Sequence, residues 1–150
     1  MKFILTIHPV VQLTAILLGY YAAYLGIQRM QGLHFGRQVK FRRDRHAWVG
    51  AISLLTMLGG FAGGWIIASY FLHDHEAQAA HEVMVLHATI ALILLPCMVF
   101  GIVTGLYLFL KPLKRTVLPA VHAINNFILL VLALAQIYTG GHIYLTHVVK

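Results

Sequence analysis

Four stretches of this chain are apolar with hardly a break: Phe3 to Ile27, Ala47 to Leu72, Val83 to Leu110 and Val117 to Val149. Each meets the requirement of about 20 residues for a helix that crosses a hydrocarbon layer of roughly 30 Å. The last two are longer than that, which predicts tilt or projection beyond the bilayer. Pro96 lies inside the third, where a missing backbone donor and a crowded preceding turn predict a kink. Polar residues gather in short connections between the stretches. The pattern predicts an all-α fold: a transmembrane antiparallel four-helix bundle, one domain over residues 1–150.

Composition agrees and charge adds a direction. With 60% of 150 residues hydrophobic and 10% charged, and a mean hydropathy of +0.81, a soluble domain is excluded. Arg29, Arg37, Lys40, Arg42, Arg43 and Arg45 fall between the first two spans, and Lys111, Lys114 and Arg115 between the last two. The loop from His73 to His81 carries no Lys or Arg, and the ends carry only Lys2 and Lys150. The two basic loops are therefore expected in the cytoplasm and both termini on the outer, periplasmic side, as in a bacterial inner membrane. Sorted this way, the formal net charge of +7 calls for a lipid bilayer and no nucleic acid. The single cysteine, Cys97, has no intrachain partner, and no Cys-x-x-Cys-His occurs, so covalently attached c-type haem is not expected. The first apolar run is long for a signal peptide and reads as a retained span. No Gly-rich nucleotide fingerprint or phosphate loop is present.

The candidate chemistry lies in the histidines. His8, His46, His87 and His122 each stand near the start of a span, and each is followed eighteen residues later by a glycine: Gly26, Gly64, Gly105 and Gly140. Eighteen residues are five helical turns, so each His and its Gly share one face, about 27 Å apart. With the orientation above, His46 and His122 sit near the cytoplasmic side, His8 and His87 near the outer side. Spans one and three are diagonal in an up-down bundle, as are two and four. Adjacent axes about 8–10 Å apart give a diagonal of roughly 11–14 Å, which suits two imidazoles meeting on one metal. Two histidines per level fall short of a zinc site, whereas a haem asks the protein for only two axial ligands. The expected cofactors are two haem b, with His8 and His87 on the outer iron and His46 and His122 on the inner. The four glycines are expected to make room for the macrocycles.

A plainer reading stands beside this one. Histidines near helix ends are often interfacial, and the Gly59/Gly63, Gly60/Gly64 and Gly101/Gly105 spacings are those of helix-contact motifs. Against it, 13 glycines in 150 residues make four matches at one fixed offset hard to assign to chance. The spacing also describes a repeat. His8 to His46 is 38 residues and His87 to His122 is 35, His-Ala opens both even-numbered spans, and Gly-Gly follows at 63–64 and 140–141. The bundle reads as a duplicated helix hairpin, both copies in the same orientation.

His8-Pro9, the run Gly26 to Arg29, His46, His87, His122 with Asn125, and Gln136 with Thr139-Gly140 resemble the cytochrome b561 family, and more closely a bacterial family of four-helix membrane proteins related to it. The resemblance implies a four-helix core holding two b-type haems near opposite membrane faces, with the first helix paired to the third and the second to the fourth. The six-helix members carry two further helices, and no ascorbate site is recognisable here.

Other residues leave alternatives open. His142 is placed near the outer level, where it is a candidate to replace His8 or His87, to contact a propionate or to face a quinone. His81 is a second candidate ligand, and His73, His75 and His81 with Asp74 and Glu76 form either a solvated loop or a surface metal site. Asn125, Asn126, Gln12 and Gln136 either tune ligands or bond across helices, and Tyr20, Tyr21 and Tyr24 read as an interfacial belt. The expected function is transmembrane electron transfer, with a quinol (menaquinol included) as donor. Redox subunits such as a c-type cytochrome or an iron-sulfur protein, or a second copy of the chain, are the expected partners. The rivals are a non-redox membrane anchor or assembly subunit and a metal-ion or proton transporter. No catalytic residue is expected.

Overall fold

A computed structural model describes residues 2–71, 78–113 and 115–149. The fold is all-α: α1 (Lys2–Phe35), α2 (Arg43–Phe71), α3 (Gln78–Leu110) and α4 (Val117–Tyr144), the last followed by a short π-helical turn, Leu145–Val149. Each helix contains a segment of 28 or 29 residues apolar and long enough to cross a membrane. The chain is an integral membrane protein.

Helix limits depart from the apolar stretches where polar residues still favour helix. α1 continues past Ile27 through Gln28, Arg29, Met30 and Gln31, all good helix formers. It stops only at Gly36, whose φ of +62° turns the chain so that the Arg37 N–H folds back on the Gln31 carbonyl at 3.3 Å. The membrane-length apolar segment of α1 runs from Leu5 to Gly32, past the expected end at Ile27. Pro96 does not interrupt α3, and Pro9 lies within α1 in the same way. The tail expected as the end of the fourth helix widens to π geometry just after Gly140 and Gly141.

The helices pack in the cyclic order α1–α2–α3–α4, with the α1–α2 and α3–α4 hairpins held most closely. Small and medium side chains fill the centre: Ala15, Ile16, Leu54, Met57, Leu94, Met98, Leu129, Leu130 and Ala133. They lie seven to eleven residues after the four histidines, roughly 11–17 Å along the helices, and so form an apolar layer midway between the two histidine levels. Large apolar side chains such as Leu17, Leu55, Val103 and Phe127 are instead exposed on the outside, the inversion expected where lipid replaces water as the solvent. The buried polar side chains among the described residues are Ser53, Thr104 and Thr139. Ser53 spends its proton on the Ala15 carbonyl at 2.7 Å, tying α2 to α1, and Tyr20 reaches the Leu130 carbonyl at 3.1 Å, tying α1 to α4.

Candidate functional site: two levels of paired histidines

Each hairpin closes by seating the histidine of one helix on the glycine of the other. A Cβ added at Gly64 of α2 would lie 2.6 Å from Cε1 of His8, and one at Gly26 of α1 would lie 3.1 Å from Cε1 of His46. The second hairpin repeats this, with 3.0 Å from Gly140 to His87 and 3.3 Å from Gly105 to His122. Equal spacing on two antiparallel helices brings both His–Gly contacts into register at once. Each glycine therefore lies at the level that its own helix does not supply with a histidine, and its nearest neighbour is the imidazole of its hairpin partner.

The neighbouring glycines extend the same joint. Gly60 is covered by the side chain of Gln12, which donates to the Met57 carbonyl at 3.1 Å. Gly101 faces Oδ1 of Asn126. Gln12 and Asn126 each follow their histidine by four residues, one turn along the same face. A histidine and an amide thus fill the Gly60/Gly64 and Gly101/Gly105 notches, whereas Gly59 and Gly63 have no atom of another residue within 4 Å of the added Cβ.

Across the bundle the histidines meet diagonally. The rings of His46 and His122 have centroids 6.3 Å apart and planes at 77°. Two metal–nitrogen bonds of about 2.0–2.1 Å, with two ring radii of about 1.1 Å set by ring bonds near 1.33 Å, put such centroids about 6.2–6.4 Å apart. The inner pair at 6.3 Å matches that spacing, which also lies in the range of about 4.5–7 Å of ordinary edge-on ring contacts. At the outer level His8 and His87, with Gly64 and Gly140, line a cavity of about 390 Å³ walled by all four helices, within the usual range of about 300–1,000 Å³ for small-molecule and cofactor sites. Its other walls are almost wholly apolar, Phe61, Trp65 and Met98 among them.

Ring nitrogens facing away from these meetings are anchored. Nδ1 of His46 lies 2.8 Å from the Ala22 carbonyl, Nδ1 of His122 2.8 Å from the Thr104 hydroxyl, and Nδ1 of His87 2.8 Å from the Thr139 hydroxyl. A carbonyl only accepts, so His46 donates from Nδ1 and keeps Nε2 as the free lone pair. Asn126 Nδ2 also approaches the His122 ring, at 3.4 Å from Nδ1 and 3.3 Å from Nε2. The amide nitrogen has two protons to give: one goes to the His122 carbonyl at 2.7 Å, and the other is within reach of the ring. Buried Nδ1 of His8 and Oε1 of Gln136 make no hydrogen bond of good geometry. Both residues line the outer cavity.

The inner mouth is basic and aromatic. Phe41 packs against His46 with centroids 5.6 Å apart and carries the Arg29 guanidinium on its ring. Arg43 lies over Phe109, Arg45 over Tyr21, and Lys111 and Arg115 over Tyr107. Among the described residues no group of three His, Cys, Asp or Glu could hold a metal, so each level offers a pair and nothing more.

Other candidates fall elsewhere. His142 is exposed and does not line the outer cavity, although Gly140, Gly141 and Ile143 do. The backbone of His81 is in the first turn of α3, while residues 72–77, with His73, Asp74, His75 and Glu76, lie outside the described residues. Gln12 and Asn125 bond across helices, the latter to the Cys97 carbonyl at 2.9 Å, and Gln136 donates to the His87 carbonyl at 2.8 Å. Thr104 is a candidate missed in the sequence, and Thr139 enters there only among the residues that carry the resemblance, without a role. Their signal is a Thr-Gly dipeptide at 104–105 and again at 139–140. No family model, curated protein or solved structure matches this chain.

Proposed function

We propose that the protein conducts electrons across the membrane through two b-type haems, one held by His46 and His122 and the other by His8 and His87. The observation that carries this reading is the 6.3 Å spacing of the His46 and His122 rings, reached across the bundle diagonal with no third ligand nearby. When bound, a haem held by two histidines would supply one-electron redox chemistry. The chain's own residues do the rest. Ala22, Thr104 and Thr139 fix three imidazoles by Nδ1, as outer partners of metal-bound histidines commonly do. The apolar layer around Met57, Met98 and Leu129 keeps water from running between the levels. Arg29, on Phe41 beside His46, offers positive charge where a haem carboxylate would lie.

With the basic loops in the cytoplasm and both termini periplasmic, as for a bacterial inner membrane, the His8/His87 level faces the outside. A quinol is the donor this arrangement suits, menaquinol included. A c-type cytochrome, an iron-sulfur subunit or a second copy of the chain would dock at a membrane face. One observation favours a second reading, a non-redox membrane anchor: the four imidazoles already fill the glycine notches and lock the hairpins without a cofactor. Reduced-minus-oxidised spectra with haem counted per chain separate the two. Electron transfer requires two haems per chain, with His46→Ala and His8→Ala each removing about one, whereas colourless protein refutes it.

A further inference from the structure

We infer that Thr104 and Thr139 are positioning residues that set the tautomer and donor strength of one histidine at each level, His122 and His87. The inference rests on the dihaem reading above. A threonine hydroxyl has one proton to give and lone pairs to receive. With the Thr104 proton on the Phe100 carbonyl, its closest contact at 2.6 Å, the contact with Nδ1 of His122 at 2.8 Å is assigned as an N–H donated by the ring. Thr139 gives its proton to the Ala135 carbonyl at 3.0 Å, and the same logic makes Nδ1 of His87 the donor at 2.8 Å. Both rings are thereby held with the proton on Nδ1 and the lone pair on Nε2, which at His122 lies 3.3 Å from the Asn126 amide nitrogen.

Back-bonding of threonine to the preceding turn is ordinary in membrane helices. It accounts for the hydroxyl proton and leaves unexplained why both acceptor sides meet a histidine of the neighbouring helix. Each threonine directly precedes the glycine on which that histidine rests, so one dipeptide admits the ring and takes its N–H. The first hairpin lacks the device. Leu25 and Gly63 stand before Gly26 and Gly64, His46 uses the Ala22 carbonyl, and His8 has the backbone of Gly60, at the matching position, beside it, with no hydrogen bond of good geometry from Nδ1. Each level therefore receives one threonine-held imidazole, always from α3–α4. An accepted N–H makes an imidazole a stronger donor to its metal, which favours the more highly charged ferric iron.

The test uses the full chain in lipid nanodiscs and compares Thr104→Val and Thr139→Val with the matching serine variants, reading haem per chain and potentiometric titrations in which the two haems are resolved. Thr104→Val is expected to raise the midpoint potential of one haem and to weaken its retention about 10- to 100-fold, the usual cost of losing such a partner. Thr139→Val should do the same to the other haem, and serine should restore both. Pigmented wild type whose valine variants keep both potentials, or whose serine variants fail to restore them, overturns this inference alone. Colourless wild type overturns it together with the proposed function.

Discussion

Gly64→Ala is the sharpest test of the His–Gly joint. The new methyl would lie 2.6 Å from Cε1 of His8, 3.1 Å from Nδ1 and 3.2 Å from Nε2, against an ordinary carbon contact of about 3.5 Å or more. The ring must retreat by about 0.9 Å, beyond the roughly 0.5 Å within which a ligand set keeps its geometry. It has somewhere to go, because the same ring borders the 390 Å³ cavity. Overpacking of about 1–3 kcal/mol is offset by about 1 kcal/mol of helix propensity on leaving glycine, so the fold survives with a net cost of about 0–2 kcal/mol. Gly105→Ala is the graded comparison: 3.3 Å to His122 leaves a shortfall of about 0.2 Å, which the ring absorbs. Gly63→Ala meets nothing within 4 Å and gains only propensity. Purified variants assayed for haem per chain and thermal stability should show Gly64→Ala with about one haem and nearly normal melting, and the other two with both haems. If Gly64→Ala and Gly105→Ala are indistinguishable, the joint does not position the histidines.

Three further outcomes follow from other contacts. Ser53→Ala removes the 2.7 Å bond to Ala15 and should cost about 0.5–1.5 kcal/mol in a reversible unfolding titration in mixed micelles, with haem content unchanged. Gly60→Ala drives a methyl into Gln12. Pairing it with Gln12→Ala should recover stability with a coupling of about 0.5–3 kcal/mol, measurable as a double-mutant cycle in the same assay. Cysteine substitutions at Lys40 and Lys150 in intact cells, on a Cys97→Ala background, should be respectively protected from and open to an impermeant thiol reagent, and the reverse labelling would invert the topology.

Hydropathy alone reveals the four helices, because a bilayer demands long uninterrupted apolar runs and few other features of a chain produce them. The diagonal pairing is legible as well. Alternating direction puts His46 beside His122 and His8 beside His87 at shared depths, as the inner ring contact and the outer cavity display. The seat of each glycine is less legible: a helical period places Gly64 on the same face as His46 but is silent on the partner that covers it, which depends on the crossing of α1 with α2. Helix ends drift because Gln28 to Gln31 break the apolar run while still preferring helix. The roles of Thr104 and Thr139 hide because a threonine in a span looks the same whether its lone pair meets lipid or an imidazole. The repeated Thr-Gly step is the clue that separates them.

Because the glycine contacts lie within hairpins while the imidazole pairs form between them, packing and, on the proposed dihaem reading, ligation are divided between different partners. Each hairpin can zip itself shut, yet neither contains a facing pair. Expressed as two polypeptides cut between residues 72 and 77, the halves of a dihaem protein would make pigment formation a bimolecular event, second order in hairpin concentration. The metal levels would then report reunion of the halves rather than the folding of either one.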